Sequence, residues 1–259
     1  MTPRRASSGV TLQRARFLAL LASSTALAGC ARIGTSLTEN ARFHRILDSP
    51  ERLDLAVLGS GQPLAREYAE RAISPDFRHN GFDPPADAAY LQWMRNAWRG
   101  YRLFVTGLVA RPGSYSLDDL RTRFKPRAQI TRHDCVEGWS VIGKWRGAQL
   151  RDVIAQAQPL AQARYVIFWC MDDDGTGTKY YESLDMHQAS HPQAVLAYEL
   201  NDQPIPPKNG APVRLTVPTQ LGYKSAKHVQ RIEVVAGLGA AYGRGGYWED
   251  RGYEWFAGI

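Results

Sequence analysis

The stretch "TRHDCVEGWSVIGKW", Thr131–Trp145, decides how the rest of the chain is read. It carries one of only three cysteines in 259 residues, Cys135, with His133 and Asp134 before it and Glu137 after it. Charged neighbours flanked by Trp139 and Trp145 are not the setting of an inert core thiol. The sulfur could do chemistry, bind something, or pair with Cys170. His133 and Cys135 lie two apart, so on an extended segment both side chains point the same way, as the base and thiol of a cysteine hydrolase would. No oxyanion device or third orienting group is identifiable beside them, which disfavours hydrolysis.

Working outward, "AQIT" reads as the strand leading into this loop, and "GAQLRDVIAQA" beyond it reads as a helix. "SLDDLRTRF" predicts a helix with Ser116 as its N-cap. "RYVIFWCM" is a continuous apolar run of the kind buried on both faces of a sheet. "YRLFVTGLV", "AVLAYEL", "APVRLTVP" and "HVQRIEVV" read as further strands, with turn residues between them. "SPDFRHNGFDPPAD", Ser74–Asp87, is too rich in Pro, Asp, Asn and Gly to be a regular element and reads as a long loop. The expected fold class is α+β, with mixed sheets and short helices in one domain over residues 74–259. The aromatic tail "GRGGYWEDRGYEWFAGI" should wrap that body, because Trp248, Tyr253, Trp255 and Phe256 are costly to leave in water.

Residues 36–73 show apolar spacing of three and four and predict a helical extension, so residues 30–73 read as a spacer. Before it, a basic segment leads into the short apolar run "FLALLASSTAL" and then "LAGC", Leu27–Cys30. The run is about half the roughly 20 residues that span a bilayer. Residues 1–29 therefore read as a signal peptide of the lipoprotein type, with Cys30 as the acylated anchor and the periplasm as destination. "QRARFL" is similar to a twin-arginine export signal, although Ala15 stands at the second arginine position. This segment also explains part of the formal charge of +7: it holds four arginines and no acid, which leaves +3 on the remainder. With Lys and Arg scattered rather than striped, a nucleic-acid role is not expected.

Three further clusters could carry chemistry. His187 and His191 in "HQASH" have zinc-ligand spacing, but Gln188 replaces the expected Glu and Pro192 ends the helix, so they read as polar surface. "DDDGTGTKYYES" imitates a calcium loop with Ser183 where its last ligand should be, and reads as an acidic turn. Asn209, Arg214, Lys224, Ser225 and Lys227 bring three cations with amide and hydroxyl donors into about twenty residues. A phosphate-bearing ligand would use such a set.

Taken together, "CVEGWS", "HPQAVLAYELNDQPIPPKNGAPVRLTVP" and "GYKSAKHVQRIEVV" resemble the molybdopterin-binding domain of the sulfite oxidase family. Within that family they resemble its bacterial periplasmic branch, of the methionine sulfoxide reductase type. The resemblance spans about residues 74–237 and implies a sulfite-oxidase-type fold binding molybdenum–molybdopterin. It implies that Cys135 ligates molybdenum, as suits a soft thiolate, and that Asn80 contacts the cofactor near the metal. It further implies that Cys170 lines the cofactor pocket, that Asn209 and Arg214 contact the pterin, and that Ser225, Ala226 and Lys227 grip its phosphate. Lys224 would add charge to that grip, and Trp139 and Trp145 would wall the site.

The implied activity is two-electron oxygen-atom transfer on an S- or N-oxide, small or protein-bound, with electrons exchanged through a membrane redox partner such as a haem protein. The competing reading is a lipid-anchored binding or assembly module on the same scaffold. Glu137, Gly138 and Trp139 follow the cysteine where sulfite oxidases carry an arginine-bearing segment, so sulfite is not the expected substrate. The short stretch after Val235 leaves no room for their second domain, and a monomer is expected. Asp83 and Pro84 stand where the methionine sulfoxide reductase subunit has a Tyr–Glu pair.

Overall fold

The computed structural model describes residues 63–259, and its elements are short strands and shorter helices. In chain order they are α1 (Ala88–Arg95), β1 (Leu103–Gly107), β2 (Gly113–Tyr115), α2 (Leu117–Thr122), β3 (Pro126–Asp134) and β4 (Ser140–Gln149). After these come α3 (Leu150–Ala157), β5 (Tyr165–Asp173), β6 (Lys179–Asp185), α4 (Met186–Ala189), β7 (Val195–Leu200), β8 (Gln203–Pro204), β9 (Arg214–Thr216) and β10 (Val229–Val235). The α+β expectation holds.

Two sheets form the frame. One runs β2-β1-β10-β5-β6, with β1 and β10 parallel and the other pairs antiparallel. The other runs β3-β4-β7-β8, and β9 also pairs with β7. The apolar run of β5 lies between β10 and β6, with Val166, Ile167 and Phe168 fully buried, as its composition requires. Leu103, Val105, Val234 and Leu196 share its core, while Phe77, Trp145 and Val195 form a second cluster.

Local signals place the helices. Ser116 caps α2 by accepting from Asp119 N, and the Asp119 carboxylate accepts in return from Ser116 N, which closes a capping box. Asp185 and Gln188 do the same for α4. Helix α1 was not legible as an element: it follows a Pro-rich loop and buries only Tyr90, and its start depends on Asp87 accepting from Tyr90 N.

The helical reading of residues 36–73 is corrected where the structure describes them. From residue 63 onward the chain is extended apart from one 3-10 turn, Glu70–Ala72. Glu67 bridges to Thr131, Tyr68 N donates to Ile130 O, and Gln193 Oε1 accepts from Ala65 N. This segment covers the outer edge of β3, where unpaired backbone groups need partners more than the sequence needs a helix. The signal segment, Cys30 and the spacer up to residue 62 lie outside the described residues. Among the described residues no helix is long and apolar enough to cross a membrane.

Residues 243–259 wrap the body as expected. Leu221 N donates to Ala257 O, Ile259 N to Thr219 O and Tyr223 Oη to Glu254 O. Tyr247 and Phe256 are buried against the body. Burying a side chain of the size of Phe256 is worth about 1.5–3 kcal/mol.

Candidate active site

Cys135 is the first residue after β3, in the five-residue loop that joins β3 to β4. Its N–H donates to Trp139 O, and its own C=O accepts from Gly138 N. Gly138 has φ +84, a conformation that β-carbon-bearing residues rarely adopt, so glycine lets this turn close tightly. The alternation of β3, which buries Thr131 and His133, also brings Cys135 inward. The Asn80 side-chain amide points at its sulfur, Nδ2 to Sγ 3.7 Å.

The sulfur faces a cavity enclosing about 620 Å³ of atom-free space, part of it open to solvent. Asn80 and Phe82 wall it from the Ser74–Asp87 loop, Cys135 and Glu137 from the hairpin, and Ser225 and Lys227 from the segment before β10. Asp172 at the end of β5 and Tyr180 at the start of β6 form its floor, and Trp248 and Tyr253 of the wrapping tail close the far side. At the rim, Glu137 accepts from Trp139 Nε1, and the guanidinium of Arg78 lies 4.7 Å from the centre of the Trp139 ring. Neither Trp139 nor Trp145 lines the cavity itself, which corrects the expectation for both.

Of the expected site residues, Asn80, Cys135, Ser225 and Lys227 meet in this cavity. Arg214, Asn209, Ala226 and Cys170 stand behind its wall instead. Arg214 is fully buried, donates to Asn209 O and lies over Trp145. Asn209 in turn donates to Phe77 O, which fixes the loop that bears Asn80. Ala226 packs in the core, where its C=O faces β9 and accepts from Leu215 N. Cys170 is a free thiol within the core of β5, not part of a disulfide and not in the cavity wall. Burial pushes it well above the usual thiol range.

Lys224 requires the largest correction. Its ammonium does not reach the cavity but sits between Glu182 and Glu249, all three side chains fully buried. Two carboxylates hold it more strongly than an open pocket could, so it braces the segment rather than adding charge to the grip.

The other clusters resolve simply. His187 is exposed but His191 is buried, so the pair does not form the polar surface expected of it. Among the described residues no three His, Cys, Asp or Glu side chains are grouped to hold a metal ion. The acidic turn is one: Asp174 accepts from Thr176 N and Thr178 N, and Lys179 pairs with Asp173. His133 is held down at about 3 by burial and by Arg214, so it stays neutral and is no base for Cys135.

The electrostatics suit an anionic ligand. Burial lowers Arg214 to about 10 and Lys227 to about 8, which leaves both charged in neutral solution. Arg214 Nε is buried without a hydrogen-bond partner, and so is Asp172 Oδ1. Native interiors leave few such atoms; of these two, Asp172 belongs to the cavity wall and Arg214 stands behind it. Gly210, at φ +108, keeps the space between Lys227 and Arg214: a β-carbon there would come within 3.0 Å of Lys227 Cβ and 3.1 Å of Arg214 Cβ. A soft sulfur, the Lys227 cation in the wall and the buried Arg214 cation behind it fit a phosphate-bearing organic ligand that carries a soft metal. Asp172, Tyr180, Trp248 and Tyr253 were missed as wall residues. The aromatic tail was a signal for the last two, but nothing local placed it against this cavity.

The family model for the oxidoreductase molybdopterin binding domain matches residues 90–239. A protein of Azospira oryzae named as a protein-methionine-sulfoxide reductase subunit, YedZ1, is 35% identical over 245 residues, 93% of this chain and 87% of that protein. The protein-methionine-sulfoxide reductase catalytic subunit MsrP of Ralstonia nicotianae is 37% identical over 170 residues, 62% of this chain and 50% of its own length. Among solved structures, the sulfane dehydrogenase SoxCD from Paracoccus pantotrophus matches 56% of this chain and 40% of its own at 22% identity, with a TM-score of 0.49.

Proposed function

The chain belongs to the oxidoreductase molybdopterin-binding domain family, and from that premise we propose that it reduces sulfoxides by two-electron oxygen-atom transfer. It is a molybdopterin-dependent oxidoreductase, and the relatives named as sulfoxide reductase subunits support this choice of substrate class. The observation that carries the reading is Cys135, set in the cavity wall with the Asn80 amide aimed at its sulfur.

Bound molybdopterin supplies the two-electron redox chemistry. Cys135 is the residue that would ligate the metal, and Asn80 orients its sulfur and gives the adjacent position a hydrogen-bond donor. Lys227 and Ser225 would hold the phosphate end, with Arg214 and Asn209 completing the support behind them. Phe82, Trp248 and Tyr253 give an apolar approach for the carbon substituents of a sulfoxide, and Val136 is an exposed apolar residue beside the cysteine. The absence of an arginine after Cys135 disfavours an anionic substrate such as sulfite.

Location and partner belong to the same proposal. The order of basic segment, short apolar run and "LAGC" supports export to the periplasm and a lipid tether at Cys30. The relatives' designation as subunits supports a membrane redox partner that supplies electrons. The competing reading, a non-catalytic module on this fold, is weakened by the same reductase names.

The deciding measurement is elemental analysis of the purified protein by mass spectrometry, followed by oxidation of a reduced viologen dye by methyl sulfoxides. Near-stoichiometric molybdenum with sulfoxide-dependent dye oxidation is the expected result. A fully loaded sample that reduces no sulfoxide would overturn the substrate class.

A further inference from the structure

Two acids line the cavity, and their surroundings separate them. Glu137 lies at the rim and accepts from Trp139 Nε1 at 2.8 Å. Asp172 lies in the floor, 1% exposed, with Oδ1 buried and unpartnered. An unpaired buried carboxylate is expensive, so a side chain in this position favours its neutral, proton-bearing form.

We infer that Asp172 is the proton donor of the reaction: the acid in the cavity floor passes its proton to the oxygen that leaves the substrate. This rests on the sulfoxide reading. Reduction breaks the S–O bond, returns an electron pair to sulfur and releases the oxygen as water. It consumes two electrons from an external one-electron reductant and two protons. Asp172 gives the first proton, and the second comes from solvent entering through the open mouth of the cavity. Solvent entering by the same mouth then reprotonates the carboxylate left behind.

The neighbouring charges agree with this role. Burial raises Asp172 to about 7; Lys227, then a hydrogen bond from its own backbone, then Lys179 work against the rise, and Asp173 on the same strand adds to it. Arg214, Tyr90 and Tyr180 also face it from other elements, as does Cys170 two residues earlier on β5. The carboxyl therefore exchanges its proton around neutrality, the range in which a general acid works best.

The test compares the loaded wild type with Asp172→Asn, using reduced viologen and a methyl sulfoxide across pH 5–9. In the wild type kcat should fall on a single limb as pH rises through about 7. The variant should lose that limb and turn over roughly 100-fold more slowly, with unchanged molybdenum content. Independently of activity, difference infrared spectra of both loaded proteins should show a protonated-carboxyl band that titrates near neutrality in the wild type and is missing from the variant. Asp172→Glu, which keeps the acid, should retain the limb at reduced kcat and serves if the asparagine variant does not fold. A variant that keeps the limb overturns the proposal. So does one that loses molybdenum but keeps its rate per metal, since Asp172 would then anchor the cofactor. If the loaded wild type reduces no sulfoxide, the substrate reading falls on its own, and absence of the infrared titration would still overturn the role of Asp172.

Discussion

Lys224 Nζ lies 2.7 Å from Glu249 Oε1, and neither side chain has any exposure to solvent. Glu182 reaches the same ammonium from β6. Burial pulls Lys224 down, but the two carboxylates outweigh it and hold the ammonium above its usual range. Glu182 is pushed well above the usual carboxylate range by its own burial, with Glu249 adding to the rise. The cluster fastens the tail to the segment that carries Ser225 and Lys227.

Removing the cation should therefore cost more than removing either acid. Lys224→Met leaves two buried carboxylates without their partner and should destabilise the protein by about 3–5 kcal/mol. Glu249→Gln keeps a hydrogen-bonding oxygen and should cost about 1–3 kcal/mol. Urea denaturation measures both. A Lys224→Met protein within about 1 kcal/mol of the wild type would show that the cluster does not hold the tail.

Cys135→Ser should leave the fold intact, because the two side chains are close in size and, among the described residues, the sulfur makes one long polar contact. Its molybdenum content should drop to background and dye oxidation should stop, while the thermal midpoint of the metal-free protein stays put. Molybdenum retained at wild-type level would exclude ligation by this thiol.

Gly210→Ala should be felt twice. Its φ of +108 is strained for any residue with a β-carbon, and the added methyl meets Lys227 and Arg214. The expected loss is about 1–3 kcal/mol, accompanied by lower cofactor occupancy at matched expression. Full occupancy in the folded variant would mean that this space is not needed by the ligand.

The pH response of one histidine can be isolated by difference. His133 takes up a proton only near pH 3 in the folded protein, because burial and Arg214 oppose it, whereas an unfolded histidine does so near 6.5. As pH falls below about 6.5 the unfolded chain gains a proton that the folded one refuses, so this residue subtracts stability. Relative to His133→Gln, the wild type should lose up to about 1.4 kcal/mol per pH unit between pH 6 and 4. A stability difference independent of pH would place His133 in a wetter setting.

What could be read from the sequence follows physical locality. The buried strand β5 is announced by its unbroken apolar run, and α2 by Ser116 and Asp119 three residues apart. The loop bearing Cys135 is marked by its unusual neighbours. Helix α1 buries too little to leave a periodic signal. The extended segment from residue 63 obeys a hydrogen-bonding demand made by β3, more than sixty residues away. Lys224 looked like its basic neighbours because its partners lie 25 and 42 positions away. Charge pattern identifies which residues are ionised; which of them face a ligand depends on contacts between distant parts of the chain.

Trp248 and Tyr253 bring their rings to the cavity from the wrapping tail, whereas Asn80 and Cys135 reach it from loops of the body. One flank of the chamber is therefore a separate strip of chain, anchored where Glu249 meets Lys224. A defect in that distant buried ion cluster would be felt as a loosened wall, with no wall residue altered.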